Sequence, residues 1–172
     1  MRDPRYSGFW KRFAAISIDS LLLLPFSILS SQLMSRTSGN KEFIYFLVLA
    51  PLLIATVYQL SLIMKFGQTI GKMIVGITVF SDDEKTFPKA IPILKRILFM
   101  SLPTIISLFL NKEAILNGSF FEAKKQETLN PDEIRFLLIV IPYYLLDLGT
   151  FFIDKRKRCL HDIFAKTVVV NR

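Results

Sequence analysis

Four apolar stretches of about spanning length, residues 13–34, 43–64, 91–110 and 134–153, leave this chain few ways to fold. Each approaches or exceeds the roughly 20 residues that carry a helix across a bilayer. Segments that cross lipid must satisfy their own backbone, and these are too long for barrel strands, so the expectation is helices. The third stretch is the most interrupted, with Lys95 and Arg96 near its start. A chain of 172 residues, 52% of them apolar, has room for one such bundle, read as a single domain over residues 1–172. The first stretch is too long for a signal-peptide core, and no small-x-small site follows Leu33, so it is expected to stay in the protein. The predicted class is an all-α membrane protein with four transmembrane helices.

Four crossings place both termini on one side, and the basic residues choose that side. The N-terminal segment, the second connection and the C-terminal segment carry 16 of the 22 Lys and Arg residues. The other connections carry Arg36, Lys41, Lys112, Lys124, Lys125 and Arg135, balanced by acids. By the positive-inside rule both termini are expected in the cytoplasm, with a cytoplasmic (inner) membrane as the expected location. The net charge of +8 lies close to span ends, which fits anionic headgroups better than nucleic acid. The run from Asp154 to Arg158 reads as an interfacial anchor or an anionic-lipid contact. Cys159 is the sole cysteine, so no intrachain disulfide or multi-cysteine metal site is available.

The cytoplasmic connection GQTIGKMIVGITVF, residues 67–80, superficially resembles a phosphate loop. Its Gly67 is one residue too close to Gly71-Lys72, and Met73 stands where the loop needs a hydroxyl, so nucleotide binding is not expected. The alternative is an interfacial amphipathic helix with Lys72 at the headgroups and Ile70, Met73 and Ile74 toward the acyl chains. Gly76 then releases the chain into a β-prone run that can pair with Thr167–Val170 as a small cytoplasmic β-ribbon. Asn130, Pro131, Asp132 and Glu133 form a helix start ahead of the fourth stretch, after a polar outer connection over 111–129 that holds a glycosylation-type triplet at Asn117. No internal repeat and no interdomain linker are visible.

Charges inside the stretches are the strongest functional signal, since one near the bilayer centre costs at least about 2.5 kcal/mol. Asp19 and Asp147 qualify, each about 10 Å inside the cytoplasmic end of its helix. Seven residues return to nearly the same helix face, so Arg12 and Asp19 share a stripe with Ala15 between them. Asp147 stands at similar depth and could face Asp19, with Gln59, Thr56 and Tyr58 nearby on the second helix. Pro51, Pro103 and Pro142 can free backbone carbonyls inside their helices. Three readings stay open: a polar lock in which Asp19 pairs with Arg12, Lys95 or Arg96; a proton or cation site shared by two carboxylates; and two separately neutralised aspartates.

Taken together, FWKRFAAISIDSLLL with Arg12 and Asp19, GQTIGKMIVGITV with Gly67, Thr69, Gly71, Lys72 and Gly76, the pair Lys95-Arg96, and CLHDIFAKTVVV with His161 and Asp162 resemble the RDD family of membrane proteins. The family is called after one arginine and two aspartates, here Arg12, Asp19 and Asp162. Asp147 matches no family motif. The resemblance implies transport of ions or small ligands, most concretely monovalent cation/proton exchange, with Asp19 titrating and Arg12 modulating it. Four short spans leave little room for alternating access in one chain, so a homo-oligomer is expected. A non-transport scaffold or accessory subunit, binding a partner or anionic lipid, is the second expectation. For Asp162 the choices are Arg158 one turn back, a gate against Arg12 or Lys72, or a cross-element salt bridge fixing the C-terminal segment. One His, one Cys and scattered acids assemble no catalytic or zinc set, so no enzyme, cofactor or metal is expected.

Overall fold

The computed structural model describes residues 5–37, 41–110, 112 and 131–172. The chain is mostly helical. Helices α1 (Phe9–Arg36), α2 (Lys41–Phe66) and α4 (Ala90–Leu110) are long and apolar enough to cross a membrane. Their outer faces leave Leu21, Val57 and Phe109 exposed, a surface suited to acyl chains and not to water. A further helix, α5, runs Pro131–Ile153 and starts at the predicted Pro131. Asn117 and the outer connection at 113–130 lie outside the described residues.

Two short helices and two strands lie between and after the long helices. Helix α3 (Ile70–Val75) leads into strand β1 (Ile77–Ser81), and helix α6 (Leu160–Ala165) leads into β2 (Thr167–Asn171). The strands pair antiparallel from Ile77↔Asn171 to Ser81↔Thr167, forming the expected ribbon. The N-terminal segment joins it, with Ser7 N–H donating to the Val169 carbonyl at 3.0 Å and Asn171 N–H to the Arg5 carbonyl at 2.8 Å. Val79, Val169, Ile77, Ile63, Ile93, Ile97 and Ala15 form the apolar core where ribbon and helix ends meet.

The structure also reveals an internal repeat that the sequence hides. Among the described residues, each half has two long helices, then a six-residue helix that a residue in the left-handed region ends, then a five-residue strand. Gly76 (φ +72°) and Lys166 (φ +54°) are the equivalent left-handed stops, each N–H closing back on its short helix. Packing repeats as well: α1 contacts α2 and α3, and α4 contacts α5 and α6. The ribbon register is symmetric about the pair Val79↔Val169. Sequence identity between the halves is too low for the repeat to be read directly, since Gly71-Lys72 answers to His161-Asp162 and Gly76 to Lys166.

Candidate functional site

Each short helix turns its polar residues inward and its apolar ones outward. On α3, Gly71 and Lys72 are buried while Ile70, Met73 and Ile74 are exposed. The apolar face is the one expected, but Lys72 is not at the headgroups: its side chain enters the protein. On α6, His161, Asp162 and Ala165 are buried and Ile163 and Phe164 exposed.

Asp19 is a clasp between α1 and α3. Its Oδ1 accepts the Tyr58 hydroxyl at 2.7 Å and the Gly71 N–H at 2.8 Å, and its Oδ2 accepts the Thr69 hydroxyl at 2.5 Å. Tyr58 also accepts the Ile70 N–H at 3.1 Å, and the Lys72 ammonium donates to Thr69 Oγ1 at 3.3 Å. The stripe of Arg12, Ala15 and Asp19 therefore exists, but it faces α3. Tyr58, and not Gln59, reaches the carboxylate from α2. Gly67 ends α2 at φ +69°, its N–H donating to the Ile63 carbonyl, and an added Cβ there would strike the Phe87 ring.

Arg12 is not the partner of Asp19. Its Nη1 donates to Asp162 Oδ2 at 2.7 Å, while Arg96 Nη2 reaches Asp162 Oδ1 at 3.1 Å and the Thr167 hydroxyl donates to the same oxygen at 3.3 Å. Asp162 is wholly buried. Burial alone would push its carboxyl up, but Arg96, His161 and Arg12 outweigh that and hold it well below the usual carboxylate range. This is the cross-element bridge, and it joins the C-terminal segment to both α1 and α4. Arg158 takes other partners, Asp154 at 3.0 Å and Asp82 at 2.9 Å. The Arg12 guanidinium also lies over the Phe151 ring, 5.1 Å from its centroid. Lys95, beside Arg96, is exposed.

Asp147 does not face Asp19 either. Both its oxygens meet His161 Nδ1, at 2.8 and 2.9 Å, and Oδ1 also accepts the His161 N–H at 2.9 Å. The pairing is local because α5 and α6 are joined by a short turn that folds His161 back onto the helix. Arg12, Lys72 and Arg96 are close enough to interact electrostatically, and Asp19 and Asp162 both act on Lys72. Lys72 is lowered from 10.5 to about 8, first by burial and then by Arg96, against the pull of Asp19 and Asp162. Cys159, the N-cap of α6, is buried, and burial pushes its thiol up to about 12.

The two short helices are anchored alike, although the anchoring carboxylates come from non-equivalent helices, Asp19 from the first long helix of its half and Asp147 from the second. In each half a carboxylate on a long helix accepts the second backbone N–H of the short helix: Asp19 from Gly71, Asp147 from His161. Sequence reasoning missed the exchange of partners because helical spacing reports which residues share a face, and not what is packed against that face.

The geometry and motifs place the chain among small multi-helix membrane proteins that bury an Arg-Asp core beneath their spans. Comparison with known families matches residues 6–166 to the RDD family, and the chain belongs to it. No curated protein and no solved structure matches it.

Proposed function

We propose that the protein is a non-transport scaffold or accessory subunit of a bacterial inner membrane, crossing four times with α5 as the last span and both termini cytoplasmic. The observation that carries this reading is the state of Asp19: three donors from α2, α3 and the intervening turn occupy both its oxygens. An ion-exchange site needs a carboxylate that a cation can reach. The buried Lys72 and Arg96 and the partly buried Arg12 beside the aspartates further oppose cation entry, and they support a lock that fixes the cytoplasmic ribbon to the spans. The ribbon and the basic residues around it, including Lys11, Arg156 and Lys157, would then present a fixed cytoplasmic face to a partner or to anionic lipid. No enzymatic activity is proposed.

One observation favours the second reading, monovalent cation/proton exchange in an oligomer. Lys72, drawn to about 8, donates to the Thr69 hydroxyl that meets Asp19, so a basic group able to lose its proton stands one side chain from the carboxylate. The two readings separate in inverted membrane vesicles. A scaffold leaves an imposed pH gradient unchanged on addition of sodium, lithium or potassium. A cation-dependent collapse of the gradient, absent in Asp19→Asn vesicles of equal protein content, would replace the scaffold with the exchanger.

A further inference from the structure

On the short helices, the positions of Thr69 and Gly71 in the first half are taken by Cys159 and His161 in the second, and each pair meets a carboxylate from a different long helix, Asp19 on α1 and Asp147 on α5. In the first half, Asp19 meets the hydroxyl of the N-cap Thr69 and the backbone of Gly71, all oxygen and amide contacts. In the second, the N-cap is Cys159 and the residue two positions on is His161, so a thiol and an imidazole converge on Asp147. One ligand atom from each of Asp147, Cys159 and His161 lies within 4.8 Å of the others.

We propose that Asp147, Cys159 and His161 bind a divalent transition metal of borderline softness, of the zinc class, at the junction of α5 and α6. A carboxylate oxygen, an imidazole nitrogen and a thiolate sulfur form the mixed donor set such an ion takes, with three protein ligands and an open fourth position. Bond lengths of about 2.0–2.3 Å around a tetrahedral ion separate neighbouring ligand atoms by roughly 3.3–3.7 Å. His161 Nδ1 and Asp147 Oδ2 stand at 2.8 Å, so the ion enters by parting this pair by about half an ångström and drawing in the sulfur. The proton shared between Nδ1 and Asp147 and the thiol proton both leave to solvent as the metal takes their places.

The surroundings suit a held imidazole. His161 Nε2 lies 3.5 Å from Asp162 Oδ1, so the metal-bound ring turns its remaining N–H toward a buried carboxylate that Arg12 and Arg96 already fix. An outer carboxylate of this kind sets ring orientation at metal-bound histidines. The sequence alone could not supply the site: Cys159 and His161 lack a third ligand until the chain returns α6 to Asp147.

Because Cys159 is the sole cysteine, any thiolate-to-metal signal belongs to it. The full-length protein, purified in detergent and stripped with chelator, is titrated with Co(II). The expected result is one equivalent bound per chain, with a thiolate-to-cobalt charge-transfer band that Zn(II) abolishes by displacement. The band is lost in Cys159→Ser, whose metal-free thermal unfolding matches the wild type, and binding weakens in Asp147→Asn. Absence of the band in the wild type overturns the proposal without reference to any variant. A band that survives Cys159→Ser, or that is indifferent to both Asp147→Asn and His161→Gln, overturns it as well.

Discussion

A methyl group added at Gly71 would lie 2.2 Å from the Ala15 carbonyl oxygen and 2.9 Å from the Asp19 carboxyl. That position admits only glycine because the α3 backbone rests directly on α1 to donate its N–H. Gly71→Ala is therefore expected to destabilise the protein by about 1–3 kcal/mol, as overpacking does, in thermal unfolding in detergent. Gly149, in α5 with nothing within 4 Å, serves as the tolerant control. The buried charges each predict stability that rises with pH, in two separate windows. Asp162, with its folded value depressed, contributes stability that is present above its unfolded value of about 4 and is lost as pH falls below it toward the folded value. Lys72, lowered to about 8, binds its proton less tightly folded than unfolded; its burial cost is complete below about 8 and is relieved as pH rises toward 10.5. The melting temperature of the wild type relative to Lys72→Met should rise between these limits, and a flat difference would contradict the assignment.

At the level of elements, the prolines inside the spans have identifiable consequences. Pro103 cannot donate to the carbonyl of Phe99 one turn earlier in α4, and the Tyr143 hydroxyl on α5 donates to that carbonyl instead. The sequence anticipated freed carbonyls, and here the freed group meets a neighbouring helix. Tyr143→Phe should cost about 0.5–2 kcal/mol in the wild-type background. In Pro103→Ala, where the helix supplies its own N–H, the same change should cost less, and a double-mutant cycle with no coupling would dismiss the pairing. The short helices show a second element-scale rule. Six residues give one buried and one exposed face, and the buried face of each holds the family's polar motif, Gly71-Lys72 and His161-Asp162.

For the whole molecule, the two halves meet through the ribbon and through Asp162, whose two arginines come one from each half. A tandem repeat whose halves both begin and end at the ribbon calls for an even number of crossings in each, and this supports the proposal that α5 is a fourth span alongside α1, α2 and α4. Single cysteines placed at Lys11 and Arg172 in a Cys159→Ser background should react with an impermeant maleimide only from the cytoplasmic face, and one at Lys112 only from the opposite face. Labelling of Lys112 and Arg172 from the same side would overturn the four-span topology.

The apolar lengths of α1, α2 and α4, the start of α5 at Pro131, and the ribbon between Ile77–Phe80 and Thr167–Val170 were all legible in the sequence. These are local or compositional properties: length of an apolar run, a helix cap and β-branched content. Partnership is different, because a charge in a span says that it must be neutralised and leaves open by what. Only the tertiary structure decided that Asp19 holds Tyr58, Thr69 and Gly71, that Arg12 and Arg96 converge on Asp162, and that Asp147 meets His161. The physical reason is that α3 and α6 fold back against the long helices, bringing together donors and acceptors whose separation along the chain carries no record of their contact.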